Sequence, residues 1–177
     1  MVGNFKIIFL ILLMFSCENN KKNNEEVATD IINQNFEILI DSISYFDLSK
    51  MPENTVNDNI NVHLNTEVIA MDVQKSTEMF KNKFKFNQNK INPIFFKIKK
   101  IPINKIDDYP IALASNISED KNIVNVSFIN FLIDYSNKFA SITVIKSRGI
   151  GAKFEIYYFK HVDGKWIFDG KELLALG

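Results

Sequence analysis

The chain of 177 residues has one cysteine, two histidines and no formal net charge, so it is poor in the residue types that most often signal chemistry. A metal site needs several thiolate, imidazole or carboxylate ligands at compatible spacing. His63 and His161 each stand alone, so both read as structural or surface histidines, and no metal or other cofactor is expected. There is no G-x-S-x-G elbow to present a serine nucleophile. The lone G-x-G, Gly149-Ile150-Gly151, lies between strand-like segments and opens no helix, so it makes no phosphate cradle. Asn57, Asn59 and Asn61 alternate as calcium ligands would, but Val62 and Val68 stand where such a loop needs glycine and glutamate. The Asp107-Asp108 pair reads as a surface turn, because paired-carboxylate chemistry needs two groups facing each other across a cleft. A balanced net charge gives no general attraction to nucleic acid, and none is expected as a partner. There is no internal repeat. At 46% hydrophobic residues, the chain can bury one ordinary core.

Most of what is specific sits at the amino terminus, MVGNFKIIFLILLMFSC. Lys6 supplies a positive start, Ile7 to Phe15 an unbroken apolar run, and Ser16 a small residue before Cys17. This is a secretory signal pattern, and the run falls short of the roughly 20 apolar residues of a spanning helix. The box Met14-Phe15-Ser16-Cys17 resembles a bacterial lipoprotein signal. Phe15 is bulkier than the usual residue there, a relaxation tolerated among lipoproteins of the Bacteroidota. The resemblance implies cleavage before Cys17 and a lipidated Cys17 in the cell envelope, with the outer membrane as the expected location. Each buried acyl CH₂ is worth about 0.8 kcal/mol, so two or three chains anchor durably where one does not. The alternative is an ordinary secreted protein with one stray thiol. The expected organisation is a signal peptide at 1–16, a lipidated cysteine and flexible tether at 17–26, and a single α+β domain at 27–177. Glu18 to Glu26 contains no apolar residue that could drive ordering.

Within the domain, Ala28, Ile32, Phe36, Leu39, Ile43 and Phe46 recur at steps of three and four, which predicts one amphipathic helix over 25–46. Residues 60–71 have β composition, and Asp72 is placed to cap a second helix through about Phe84. Phe96 and Ile98 alternate with Lys97 and Lys99 in a half-buried strand. Residues 101–122, punctuated by Pro102 and Pro110, read as irregular, with a short helical turn near Lys105 to Asp108. Strands are predicted over 122–134, 138–147, 153–162 and 165–169. Asp163-Gly164 marks a two-residue hairpin that sets His161 opposite Trp166 and Phe159 opposite Phe168. Trp166, Tyr157 and Tyr158 read as core rather than as a stacking surface. The expectation is an antiparallel meander with the N-terminal helix and a second helix packed on one face.

The run VSFINFLIDYSNKFASITVIKSRGIGAKFEIYYFKHVDGKW (126–166) resembles the C-terminal sheet of small uncharacterised lipoproteins common in Bacteroidota. The resemblance implies a fold and an envelope location, and no activity. Charge is also segregated. Nine lysines and one acid fall between Val73 and Ile106, against eleven acids and three lysines between Cys17 and Asp72. One reading is two faces that compensate each other in the fold. The other makes Lys81, Lys83, Lys85, Lys97, Lys99 and Lys100 a surface for an anionic envelope component or protein partner. The functional expectation is therefore a lipid-anchored, non-enzymatic binding or structural module. An envelope hydrolase gathering His63, His161 and a carboxylate is the alternative, and self-association through an exposed sheet edge is a third reading.

Overall fold

A computed structural model describes residues 23–50, 59–85 and 91–177. Cys17, the signal segment, and Asn57 and Asp58 of the calcium-like stretch lie outside the described residues. The helices are α1 (Asn24–Gln34), α2 (Phe36–Leu39) and α3 (Val73–Phe84). The shorter strands are β1 (Asn61–Asn65), β2 (Glu67–Val68), β3 (Ile91–Ile94), β4 (Phe96–Lys97), β5 (Lys105–Ile106) and β6 (Tyr109–Ala114). Four long ones follow: β7 (Ile123–Asp134), β8 (Phe139–Arg148), β9 (Gly151–Val162) and β10 (Lys165–Leu176).

Helix α1 starts at a reciprocal cap. Asn23 Oδ1 accepts the Glu26 amide at 2.9 Å, and Glu26 Oε2 accepts the Asn23 amide at 3.1 Å, so two otherwise orphaned donors are satisfied. Residues 24–26, expected as the end of a tether, are therefore the first turn of a helix. The helix does not run on to Phe46 as the periodicity predicts. It breaks at the buried Asn35, whose side-chain amide donates to the carbonyls of Ile31 and Trp166, both at 3.1 Å. The single turn α2 follows, and then 3₁₀ turns at Ile43–Phe46 and Leu48–Lys50. All six residues of the predicted stripe are nonetheless buried. Steps of three suit 3₁₀ turns as well as steps of four suit an α-helix, so the apolar face survives the change of backbone.

Strands β7 to β10 form the antiparallel meander that their alternation predicts. Asp163 and Gly164 both adopt positive φ (49° and 79°), and His161 lies opposite Trp166 and Phe159 opposite Phe168. The whole sheet is not a simple meander. It is a curled mixed sheet with the order β10-β9-β8-β7-β1-β6-β5. β1 lies parallel to both β7 and β6, while β3 pairs antiparallel with the far end of β7. β7 is thus paired along both sides and largely buried on both faces, which is why eight of its twelve residues are apolar instead of every second one. The segment expected to be irregular contains the β5–β6 hairpin, with exposed Asp107 and Asp108 at its turn. Pro110 is tolerated because it precedes the residues of β6 that pair with β1.

The helices do not share one face. Tyr157 and Phe159 join Val27, Ile31 and Phe36 in the main core. Tyr158, between them, points the other way, where Phe84 of α3 meets it at 5.8 Å between ring centroids and meets Phe139 at 4.6 Å. Asp72 does not cap α3 with its side chain and sits at φ 48°. The buried Asn130, at φ 49° in a bulge of β7, holds this corner instead. It accepts the Met71 amide at 2.7 Å, donates to the Met71 carbonyl, and donates to the Ser76 hydroxyl at 3.0 Å.

β10 is the edge of the main sheet. At its start the Trp166 amide donates to Gln34 Oε1 at 2.8 Å, and the Trp166 carbonyl takes the Asn35 amide. Two backbone groups that would otherwise be open to another strand are thus occupied by the junction of α1 and α2.

Candidate functional site

Lysines occupy two contrasting sites on the α1 side of the sheet. The first is internal. In FASITVIKSR, Lys146 falls on the parity of Ala140, Ile142 and Val144, so the strand directs it into the core. It is fully buried, and its Nζ lies 2.9 Å from Asp41 Oδ1, 3.3 Å from Glu155 Oε2 and 2.9 Å from the Tyr157 hydroxyl. Lys171 reaches the same carboxylates, Asp41 at 2.7 Å and Glu155 at 3.0 Å, and Lys153 adds a 3.1 Å contact to Glu155. The Tyr157 hydroxyl donates to Asp41 Oδ1 at 2.7 Å, and the Lys146 and Lys171 ammonium groups lie 5.4 and 5.2 Å from its ring centroid.

Burial alone would raise the Asp41 carboxyl, but the hydrogen bonds from Lys171 and Lys146 hold it down at about 2. Burial likewise works against the Glu155 carboxylate and is outweighed by Lys171, Lys146 and Lys153, leaving its pKa lowered. For Lys146 burial wins, and its pKa falls despite both acids. Burial, and after it the two carboxylates, raises the Tyr157 phenol. The cluster clamps the segment after α2 onto β8, β9 and β10. With its ammonium fully buried, Lys146 is not presented to a substrate. Sequence reasoning passed over this cluster, yet a signal existed: Lys146 and Glu155 are charged residues on the core-facing parity of their strands.

The second site is a groove of about 530 Å³ between α1 and the segment 96–102. Phe96, Ile98 and Ile101 supply apolar lining, Lys97, Lys99 and Lys100 the basic wall, and Glu25, Thr29 and Asn33 the wall from α1. The β4 alternation holds as predicted, with Phe96 and Ile98 buried and Lys97 and Lys99 exposed.

The structure therefore divides the six candidate lysines. Lys97, Lys99 and Lys100 line one groove on the α1 side. Lys81 and Lys83 lie on α3 against the opposite face of the main sheet, and Lys85 ends that helix at φ 55°. Lys83 is engaged within the fold, 3.0 Å from the Asp169 carbonyl, 3.6 Å from its carboxylate and 5.3 Å from the Tyr158 ring centroid.

The histidines do not come together. His63 is on β1, on the parity opposite to the core residues Val62 and Leu64. His161 is on β9, on the core parity, with its ring 4.9 Å from Trp166. β7 and β8 lie between their strands. Among the described residues no three His, Cys, Asp or Glu side chains cluster as metal ligands would. Trp166, Tyr157 and Tyr158 are buried, as predicted. No family model, curated protein or solved structure matches this chain.

Proposed function

We propose that this chain is a lipid-anchored protein of the bacterial cell envelope, held at the outer membrane and acting as a non-enzymatic binding or structural module. The observation that carries this reading is the position of Cys17, the only cysteine, at the boundary between the apolar run and the polar stretch that leads into α1. A free thiol is a liability in an oxidising compartment, and acylation at that boundary would remove it. The mixed sheet carries a basic groove and a buried charge cluster closed to substrate, a combination suited to binding more than to turnover. What speaks against the hydrolase alternative is that strand parity sets His63 and His161 on opposite faces of the sheet.

The test is the intact mass of membrane-extracted protein, wild type beside Cys17→Ala. The expected wild-type mass begins at Cys17 and carries acyl chains, and the variant lacks both changes. An unmodified thiol or an uncleaved amino terminus in the wild type would overturn the reading.

A further inference from the structure

Phe95, Lys97 and Lys99 share the outward face of one extended segment, with Lys100 beside them. Phe95 is 60% exposed, while its neighbour Phe96 and Ile98 beyond are buried. An exposed ring among lysines is the chemistry of a membrane–water interface: the ring enters the headgroup layer, and the ammonium groups stay with the phosphates. We propose that Phe95, Lys97, Lys99 and Lys100 dock on the anionic phospholipid headgroups of the bilayer that holds the anchor, so that the domain lies on the membrane by its α1–β4 side. This inference rests on the lipid-anchored reading and adds an orientation and a partner to it.

Charge, reach and contrast support it. None of the three lysines forms an ion pair with a described residue. Glu25 is the one carboxylate lining the groove among the described residues, and the exposed Glu67 lies opposite Lys97 in the β2–β4 pair, so the three lysines outnumber these two carboxylates. Glu25 also belongs to the first turn of α1, which puts the lysine wall one groove-width from the point where the chain arrives from Cys17. The steps from Cys17 to Asn23 span at most about 20 Å even when fully extended. A lipid on Cys17 therefore keeps this face, rather than α3 and its lysines, close to the headgroups. Tethering makes the contact intramolecular, so a weak surface suffices.

The experiment uses the full acylated protein reconstituted in vesicles of phosphatidylcholine alone or with added phosphatidylglycerol. Co-sedimentation reports the anchor. Trypsin cleavage after Lys97, Lys99 and Lys100 reports the docked face. A lysine near an anionic surface contributes about fivefold to binding, so the three together are expected to slow cleavage by up to about a hundredfold on anionic vesicles. The effect should be absent on neutral vesicles and lost at high salt. Phe95→Ala, at an exposed position, should weaken the protection without affecting co-sedimentation. Equal cleavage on both vesicles with co-sedimentation intact would overturn the docking surface and leave the anchor standing. Loss of co-sedimentation would overturn the anchor and the docking surface with it. Protection by polyglutamate in detergent without protection on anionic vesicles would assign the face to an acidic protein and overturn the membrane proposal.

Discussion

Lys146 and Lys97 are both strand lysines, and they meet opposite fates. Lys146 is sealed between two carboxylates and a phenol, while Lys97, with Lys99 and Lys100, stands in solvent with no ion-paired partner among the described residues. Composition does not separate them, but strand parity does. A lysine on the apolar parity must bring its counter-charges inside with it, because an unpaired buried ammonium costs several kcal/mol. A lysine on the polar parity is free to meet something else.

The comparison can be broken most sharply at Lys146. Lys146→Ala leaves Asp41 and Glu155 without the ammonium between them, and a loss of about 3–5 kcal/mol is expected in urea unfolding. A loss below about 1 kcal/mol would mean that the cluster does not bear on the fold. Acid sharpens the contrast next. The Asp41 carboxyl lies near 2 in the fold against an ordinary 3.8, so the folded-state pKa is depressed. Its contribution to stability is present above about pH 4 and is lost as the pH falls from there through about 2; Glu155 is lowered too and acts in the same sense. Urea midpoints measured down this range should fall, and Asp41→Asn should flatten the dependence. The smallest effect is expected at Lys97→Ala, Lys99→Ala and Lys100→Ala, each within about 0.5 kcal/mol of wild type. A larger loss at any of them would show that the groove wall is part of the fold's own support.

Strand and helix parity is a local property, and local patterns are legible in the sequence. The Asp163-Gly164 hairpin, the Phe96/Ile98 alternation and the buried stripe from Ala28 to Phe46 are local patterns, and each reappears in the fold. What was missed is non-local. Nothing near β1 announces that it runs parallel between β7 and β6, because its partners lie 62 positions away in β7 and 49 in β6. The face on which α3 packs depends on Phe139 and Tyr158, 55 and 74 positions from Phe84. Asp72 has the right chemistry for a cap, but its side chain makes no capping bond, and Asn130 on β7 instead ties Met71 and Ser76 to the sheet. Charge counting groups the six candidate lysines together and cannot show their division, because nearness in sequence does not tell which side of a sheet a helix occupies.

The Gln34–Asn35 clasp on Trp166 carries a consequence for how the molecule comes together. It joins residues 132 and 131 positions apart, one partner from the first described helix and one from the last strand. Contacts of such separation are slow to form, since the intervening chain must be ordered before they repay its entropy. The edge of β10 thus stays open until the two ends of the described chain have met. The interval before that meeting is when one copy is most exposed to pairing with another, and its length is governed by topology more than by final stability.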